Sequence, residues 1–201
     1  DFSAMTQNLI VDLSSLNTPT PLYTGAPISL IFEREDIDAV IGGDGDDDIT
    51  GNARDNTLSG GPGDDSLAGG SGTEIYAFDA DEAWGKETIF EDPTDLVGHD
   101  VLDFSATTGF PVIVDLNIFG TSPAADQVIG NLTLVIEAGG FEEVIGGDMD
   151  DEITGNSLDN TLRGGPGHDL LEGFGGDDFL DGGEGNDRLD GGPGFDSFSE
   201  S

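Results

Sequence analysis

Ten residues bearing a carboxylate or amide oxygen recur at nine-residue intervals in two runs: Asp47, Asn56, Asp65 and Glu74, then Asp151, Asn160, Asp169, Asp178, Asp187 and Asp196. Glycines crowd the residues ahead of each; GGDGDDDIT opens the first run at 42–50 and GGDMDDEIT the second at 146–154. Neighbouring aspartates repel, and glycine is the costliest residue to order. Such a stretch stays a solvated loop unless a cation offsets both penalties, so the chemistry on offer is cation ligation through oxygen. The 43 acidic against 5 basic residues, a net charge of -38, point the same way and exclude electrostatic capture of nucleic acid or anionic membrane. Cysteine is absent, which removes thiolate metal sites, and His99 and His168 alone disfavour a histidine-rich zinc site.

Catalytic uses of these acids fare worse. Glycosidase carboxylates sit roughly 5 to 9.5 Å apart in an aromatic-lined cleft, which periodic acids do not imply. HExxH and GxSxG are missing, and no phosphate-binding glycine loop can be completed. DGDDD at 44–48 resembles the start of an EF-hand, but Ile49 stands where that loop needs glycine and Asp55 where it needs glutamate. The expectation is a chain without enzyme activity.

The elements that must position these oxygens follow from the same period. Four gapless nonapeptides run from residue 42 and six from 146. Position 8 is apolar in all of them: Ile49, Leu58, Leu67, Tyr76, Ile153, Leu162, Leu171, Leu180, Leu189 and Phe198. A longer repeat encloses the short one, since DFSA occurs at 1–4 and 103–106 and VDL at 11–13 and 114–116. The chain therefore divides into two tandem copies, 1–102 and 103–201. In the first, leading strands (1–41) precede repeats (42–77) and a cap or linker (78–102); in the second, leading strands (103–145) precede repeats (146–199). Disordered low-complexity sequence does not hold register in this way.

The nonapeptides resemble the RTX, or hemolysin-type, calcium-binding repeat GGxGxDxUx, a motif the general rules for repeat proteins already associate with a β-helix. The resemblance implies an all-β chain: a right-handed parallel β-roll solenoid in which six residues turn, three form a strand, and units 18 residues apart stack. Stacked carboxylates about 4.8 Å apart repel by roughly 3 kcal/mol at an effective dielectric of about 20. One apolar residue per unit does not offset this repulsion together with the entropy of ordering nine residues. Calcium ligation would, and its binding energy would then be folding energy.

Ca²⁺ takes six to eight oxygens, which the resemblance assigns to position 6 side chains and to carbonyls of positions 1 to 4. It implies complete pairs at Asp47 with Asp65, Asp151 with Asp169, Asp169 with Asp187, and Asp178 with Asp196. The carbonyls would come from Gly43 and Gly45; Gly60, Gly61 and Gly63; Gly164, Gly165 and Gly167; Gly182, Gly183 and Gly185; and Gly191, Gly192 and Gly194. Glycine is expected to supply the turn dihedrals. Asp38 with Asn56, Asn56 with Glu74, and Asn160 with Asp178 should be weaker or absent sites, because asparagine brings no charge and Arg54, Leu158 and Met149 replace the position 4 glycine. Several ions, roughly four to eight, are expected. Asp46, Asp48, Asp64 and Asp177 read as solvated neighbours.

The runs NLIVDLSS, PISLIFERE, FPVIVDLN and LTLVIEAGGFEEVIGG read as irregular strands opening the roll, with Val40 and Val144 in the position 8 phase. The segment from Tyr76 to Ala106 reads as a cap that also joins the copies, with Trp84 as a packing residue, His99 a cap or turn residue and His168 exposed. No signal-peptide pattern opens the chain and the second copy lacks a cap, so a piece of a longer protein with a fraying last coil is expected. The resemblance further implies a secreted or cell-surface bacterial protein, exported unfolded by type I secretion. Alternatives are a spacer in an adhesin or surface-layer protein, or a non-catalytic appendage of a secreted hydrolase or polysaccharide-modifying enzyme.

Overall fold

The computed structural model describes residues 3, 6, 8–13, 28–30, 37–91, 98–118, 127–138 and 140–199. Parts of the leading strands at 1–41, cap residues 92–97 and the final two residues lie outside them. Strands follow at the spacing the nonapeptides impose. The leader and first block give β1 (Leu9–Asp12), β2 (Ile28–Leu30), β3 (Ala39–Ile41), β4 (Asp48–Thr50), β5 (Asn56–Ser59), β6 (Asp65–Ala68) and β7 (Glu74–Ala77). The joining segment gives β8 (Gly85–Phe90), β9 (Val101–Asp103), β10 (Ile113–Asp115), a 3-10 turn at Leu116–Ile118, β11 (Gln127–Ile129) and β12 (Leu132–Ala138). The second block gives β13 (Glu143–Ile145), β14 (Glu152–Thr154), β15 (Thr161–Gly167), β16 (Leu170–Glu172), β17 (Phe179–Gly185), β18 (Arg188–Asp190) and β19 (Ser197–Ser199).

Successive nonapeptides alternate between two faces, so each coil is two units and each strand pairs in parallel with the strand 18 residues on. Leu58 aligns with Val40, Leu67 with Ile49, Leu162 with Val144, and Leu180 with Leu162. This is a parallel β-roll. One face is a single eight-stranded sheet in the order β3, β5, β7, β9, β13, β15, β17, β19. The other face is split: seven strands run from β2 through β1, β4, β6, β8 and β12 to β11, and four run from β10 through β14 and β16 to β18. β9, which contains the 102/103 division, pairs with both β7 and β13. The antiparallel pairing found among the described residues is the hairpin of β11 and β12, whose two-residue turn is Gly130–Asn131, with Gly130 at φ 54°.

Strand alternation sends positions 6 and 8 to the same, inward face. The core is the position 8 column, in which Ile49, Leu58, Leu67, Tyr76, Ile153, Leu162, Leu171 and Leu180 are all fully buried. Val11 and Val114 of the leading strands align with Ile49 and Ile153 and extend it. Leu189 is half-buried and Phe198 exposed. The cap adds an aromatic cluster: Phe78 stacks on Phe104 at 5.0 Å and meets buried Trp84 edge-on at 5.9 Å. Across the junction, Asp81 accepts the Thr108 and Gly109 amides and the Thr108 hydroxyl, which holds its carboxyl below the ordinary range, while Ala80 donates to the buried Thr107 hydroxyl.

Candidate metal centre

The inward face explains how carboxylates come to be buried. Asp47, Asp65, Asp151, Asp169 and Asp178 lie under the turns at 3% exposure or less, as do Asn56, Glu74 and Asn160, whereas Asp187 and Asp196 are half-buried. Each acid stacks on its partner 18 residues away. The Asp47 amide donates to Asp65 Oδ1 at 2.6 Å, Asp151 to Asp169 at 2.8 Å, and Asp169 to Asp187 at 3.0 Å. On the opposite edge Asn160 donates to Asp178 at 2.8 Å and Asp178 to Asp196 at 3.1 Å. One carboxylate oxygen is thus committed to backbone. The other, Oδ2 of Asp65, Asp169 and Asp178, is buried with no hydrogen-bond partner.

Burial is the largest influence on these groups. It lifts the Asp65 carboxyl to about 7 and the Asp151 carboxyl to about 6, against backbone amides that pull both down; the stacked neighbours Asp47 and Asp169 push up again. Asp169 and Asp178 are raised by burial and then by Asp187 and Asp196 respectively. Asp47 is raised by burial despite amides from Gly43 and Leu9.

Glycine proves necessary for two different reasons. At position 1 the need is space: a Cβ on Gly60, Gly164, Gly182 or Gly191 would fall on the carboxylate of Asp65, Asp169, Asp187 or Asp196. At positions 2 and 4 it is conformation, with φ of 97° at Gly61, 154° at Gly63, 106° at Gly165, 153° at Gly167, 84° at Gly183, 154° at Gly185 and 82° at Gly192. The dihedral expectation fails at Gly43, Gly45 and Gly194, which are outside the positive-φ set. Met149, Arg54 and Leu158 are accommodated for the same reason, since their turns keep negative φ. Stacking brings Gly43 O and Gly45 O against Gly61 and Gly63, and Gly165 O and Gly167 O against Gly183 and Gly185, so main-chain oxygens line the gaps between coils. Gly176→Ala, at φ 122° and with its Cβ against the Leu158 carbonyl, is expected to lower the thermal unfolding midpoint by several degrees, equivalent to about 2 kcal/mol. Gly45→Ala should leave the midpoint unchanged within about 1 °C if turn strain alone sets it.

The asparagine units close without a charge. Asn160 Nδ2 donates to Phe141 O at 3.1 Å and its Oδ1 accepts the Asn156 amide; Asn56 repeats this with Asp55 O and Asn52. Asn52 and Asn156 then accept the amides of Arg54 and Leu158, a side-chain-closed turn that needs no position 4 glycine. Asp38 points outward and pairs with Arg54 at 3.4 Å.

Several participants were not anticipated. Position 5 forms its own ladder: Asp64 donates its amide to Asp46 Oδ1, His168 to Asp150, Phe195 to Asp177, and Asn186 to His168 Nδ1. Asp46, Asp64 and Asp177 are exposed but engaged, while Asp48 remains a solvated strand residue. More consequentially, the joining segment continues the position 6 columns. Glu87 aligns with Asp65, and the Glu74 amide donates to Asp100 Oδ1 at 3.0 Å, whose own amide donates to Glu142 Oε2 at 2.9 Å. Glu74, Glu91 and Asp100 are buried with carboxylate oxygens within 4.8 Å of one another, and the Tyr76 hydroxyl donates to Glu91. An acid two residues before a buried apolar one, with glycine two before the acid, marks these columns: Gly85-Glu87-Ile89, Gly98-Asp100-Leu102 and Gly140-Glu142-Val144.

The donor set is oxygen throughout, with buried outer oxygens left over, and it fits a hard cation better than a thiophilic or imidazole-bound one. The RTX calcium-binding nonapeptide repeat family matches in four copies, at residues 41–73, 145–173, 154–189 and 167–198. The chain carries RTX calcium-binding repeats. Calcium is accordingly its cofactor, and the RTX unit is a structural, calcium-binding β-roll. No curated protein matches the chain. Among the described residues no helix is long and apolar enough to cross a membrane.

Proposed function

We propose that this chain is a calcium-triggered folding and stabilising module of a secreted or cell-surface bacterial protein. Its ions would be held between successive turns by the pairs Asp47–Asp65, Asp151–Asp169, Asp169–Asp187 and Asp178–Asp196, together with facing glycine carbonyls. The observation that carries this reading is the stack of buried carboxylates in which Asp65, Asp169 and Asp178 each keep an outer oxygen with no hydrogen-bond donor. Bound calcium supplies the counter-charge; the chain's residues supply the rest. Asp Oδ1 atoms tie each coil to the one before it, position 1 glycines leave room for Oδ2, and the position 8 column excludes water from the inner face. An extended chain with 43 acids would cross a narrow export channel more readily than a folded one, and folding would follow where calcium is plentiful. The carboxylates are stacked and bonded to backbone, which supports a non-catalytic module.

The test is a calorimetric calcium titration with circular dichroism before and after EGTA. Saturable uptake of several ions, with chelation at neutral pH weakening the β-signal and lowering the thermal midpoint, is the expected result; no uptake together with a spectrum indifferent to EGTA would sink the proposal. A second reading, a rigid spacer in an adhesin or surface-layer protein, is favoured by the eight-stranded sheet that runs through both copies. Many further copies in the parent polypeptide would support it, and a single adjacent catalytic domain would not. On either reading the two copies of 1–102 and 103–201 act as one continuous roll.

A further inference from the structure

The turn that precedes β8 has almost none of the repeat's sequence, yet it copies the repeat's backbone. Gly85 sits in the position 4 place with φ 81°, and a Cβ on it would strike the Gly63 carbonyl, just as one on Gly63 would strike Gly45. Gly63 donates its amide to Trp84 O at 2.8 Å. Lys86 donates its amide to Asp64 Oδ1 at 3.0 Å, which continues the position 5 ladder from Asp46. Ile89 aligns with Leu67 in the core column, and Glu87 therefore falls opposite Asp65.

Glu87 is fully buried, and apart from the facing Asp65 carboxyl its oxygens have no hydrogen-bond partner. It faces Asp65, whose Oδ1 is taken by the Asp47 amide and whose Oδ2 is equally unpartnered. The side chain of Lys86 is exposed and lies on the other side of the strand. Two buried carboxyl groups that meet only each other must share a proton or hold a cation between them. We propose that Asp65 and Glu87 form an additional divalent-cation site, outside the nonapeptide repeats, that fastens the joining segment onto the first block. The inference rests on the calcium reading of the repeats and extends it to a residue that the motif does not contain.

Trp84, the chain's one tryptophan, belongs to the same turn, which makes the site addressable. Terbium replaces calcium at oxygen sites and emits when excited through a nearby indole. Three residues span at most about 11 Å, so a terbium ion at Glu87 lies within transfer range of Trp84. The whole chain is loaded with terbium and excited at the red edge of tryptophan absorption, and calcium uptake is counted in parallel by calorimetry. Wild type should give sensitised emission. Glu87→Gln should abolish most of it and lower the calcium count by one, with an unchanged circular dichroism spectrum in calcium. Asp47→Asn, which spares the Asp65–Glu87 gap, should retain the emission, as should the remote Asp178→Asn. If Glu87→Gln does not fold, loss of emission in Asp47→Asn would overturn the proposal on its own. Unchanged emission and unchanged stoichiometry in Glu87→Gln would overturn it while leaving the repeat reading intact. No calcium uptake by wild type would overturn both.

Discussion

Asp169→Asn is expected to cost the chain two calcium ions, where Asp47→Asn costs one. Asp169 is the middle of a three-carboxylate column: the Asp151 amide rests on its Oδ1 and its own amide rests on Asp187. Every ion placed between coils on that edge of the second block therefore shares it. Asparagine preserves the shape and the amide acceptor but turns the outer oxygen into an NH₂, which repels a cation. An ion present at a hundred times its Kd stabilises the folded form by about 2.7 kcal/mol, so losing two removes about 5 kcal/mol. Without calcium the sign reverses, because the substitution deletes a buried charge. Calorimetric stoichiometry and thermal melts with and without calcium measure both halves. Loss of one ion or none would show that Asp169 is not shared.

Acid should stabilise the metal-stripped chain, opposite to what it does to the calcium-loaded one. The Asp65 and Asp151 carboxyls are raised by burial to about 7 and about 6, from an ordinary 3.8, and Glu87 is raised by burial and by Asp65 to about 10. The folded form thus binds protons more tightly than the unfolded one. The resulting stability is complete below the ordinary carboxyl range and is lost as pH climbs through about 6 to 7, with Glu87 extending the loss toward about 10. In calcium the same protons compete with the ion, and lowering the pH through that window should weaken binding. Circular dichroism melts of metal-stripped protein across this range should show the midpoint rising toward acid. A midpoint that falls instead would mean the carboxylates are solvated rather than enclosed.

Most of the roll was legible in the sequence because period nine fixes period two within each unit: once Leu58 and Leu67 point inward, Asn56 and Asp65 must as well. What escaped was everything that keeps the geometry without the spelling. Glu87, Asp100 and Glu142 follow the preceding column members by 22, 26 and 42 residues in place of 18, since loops are inserted between coils. Stacking constrains the backbone that arrives, not the length of chain that brings it. The role of position 1 glycine escaped as well, because space for an oxygen 18 or fewer residues away is a three-dimensional demand. Asparagine in the second unit of each block reads as a weakened ligand in sequence; in the fold its NH₂ serves a carbonyl that no carboxylate could satisfy.

The unbroken sheet from β3 to β19 bears on how the chain assembles. In a solenoid each coil touches only its neighbours, and the expensive event is the first coil, formed with nothing to lie on. β9 and β13 add directly to the edge that the first block presents, so the second block does not have to nucleate afresh. One half, once ordered, serves as the seed crystal of the other, and the entropic barrier to starting a roll is crossed once along a duplicated chain.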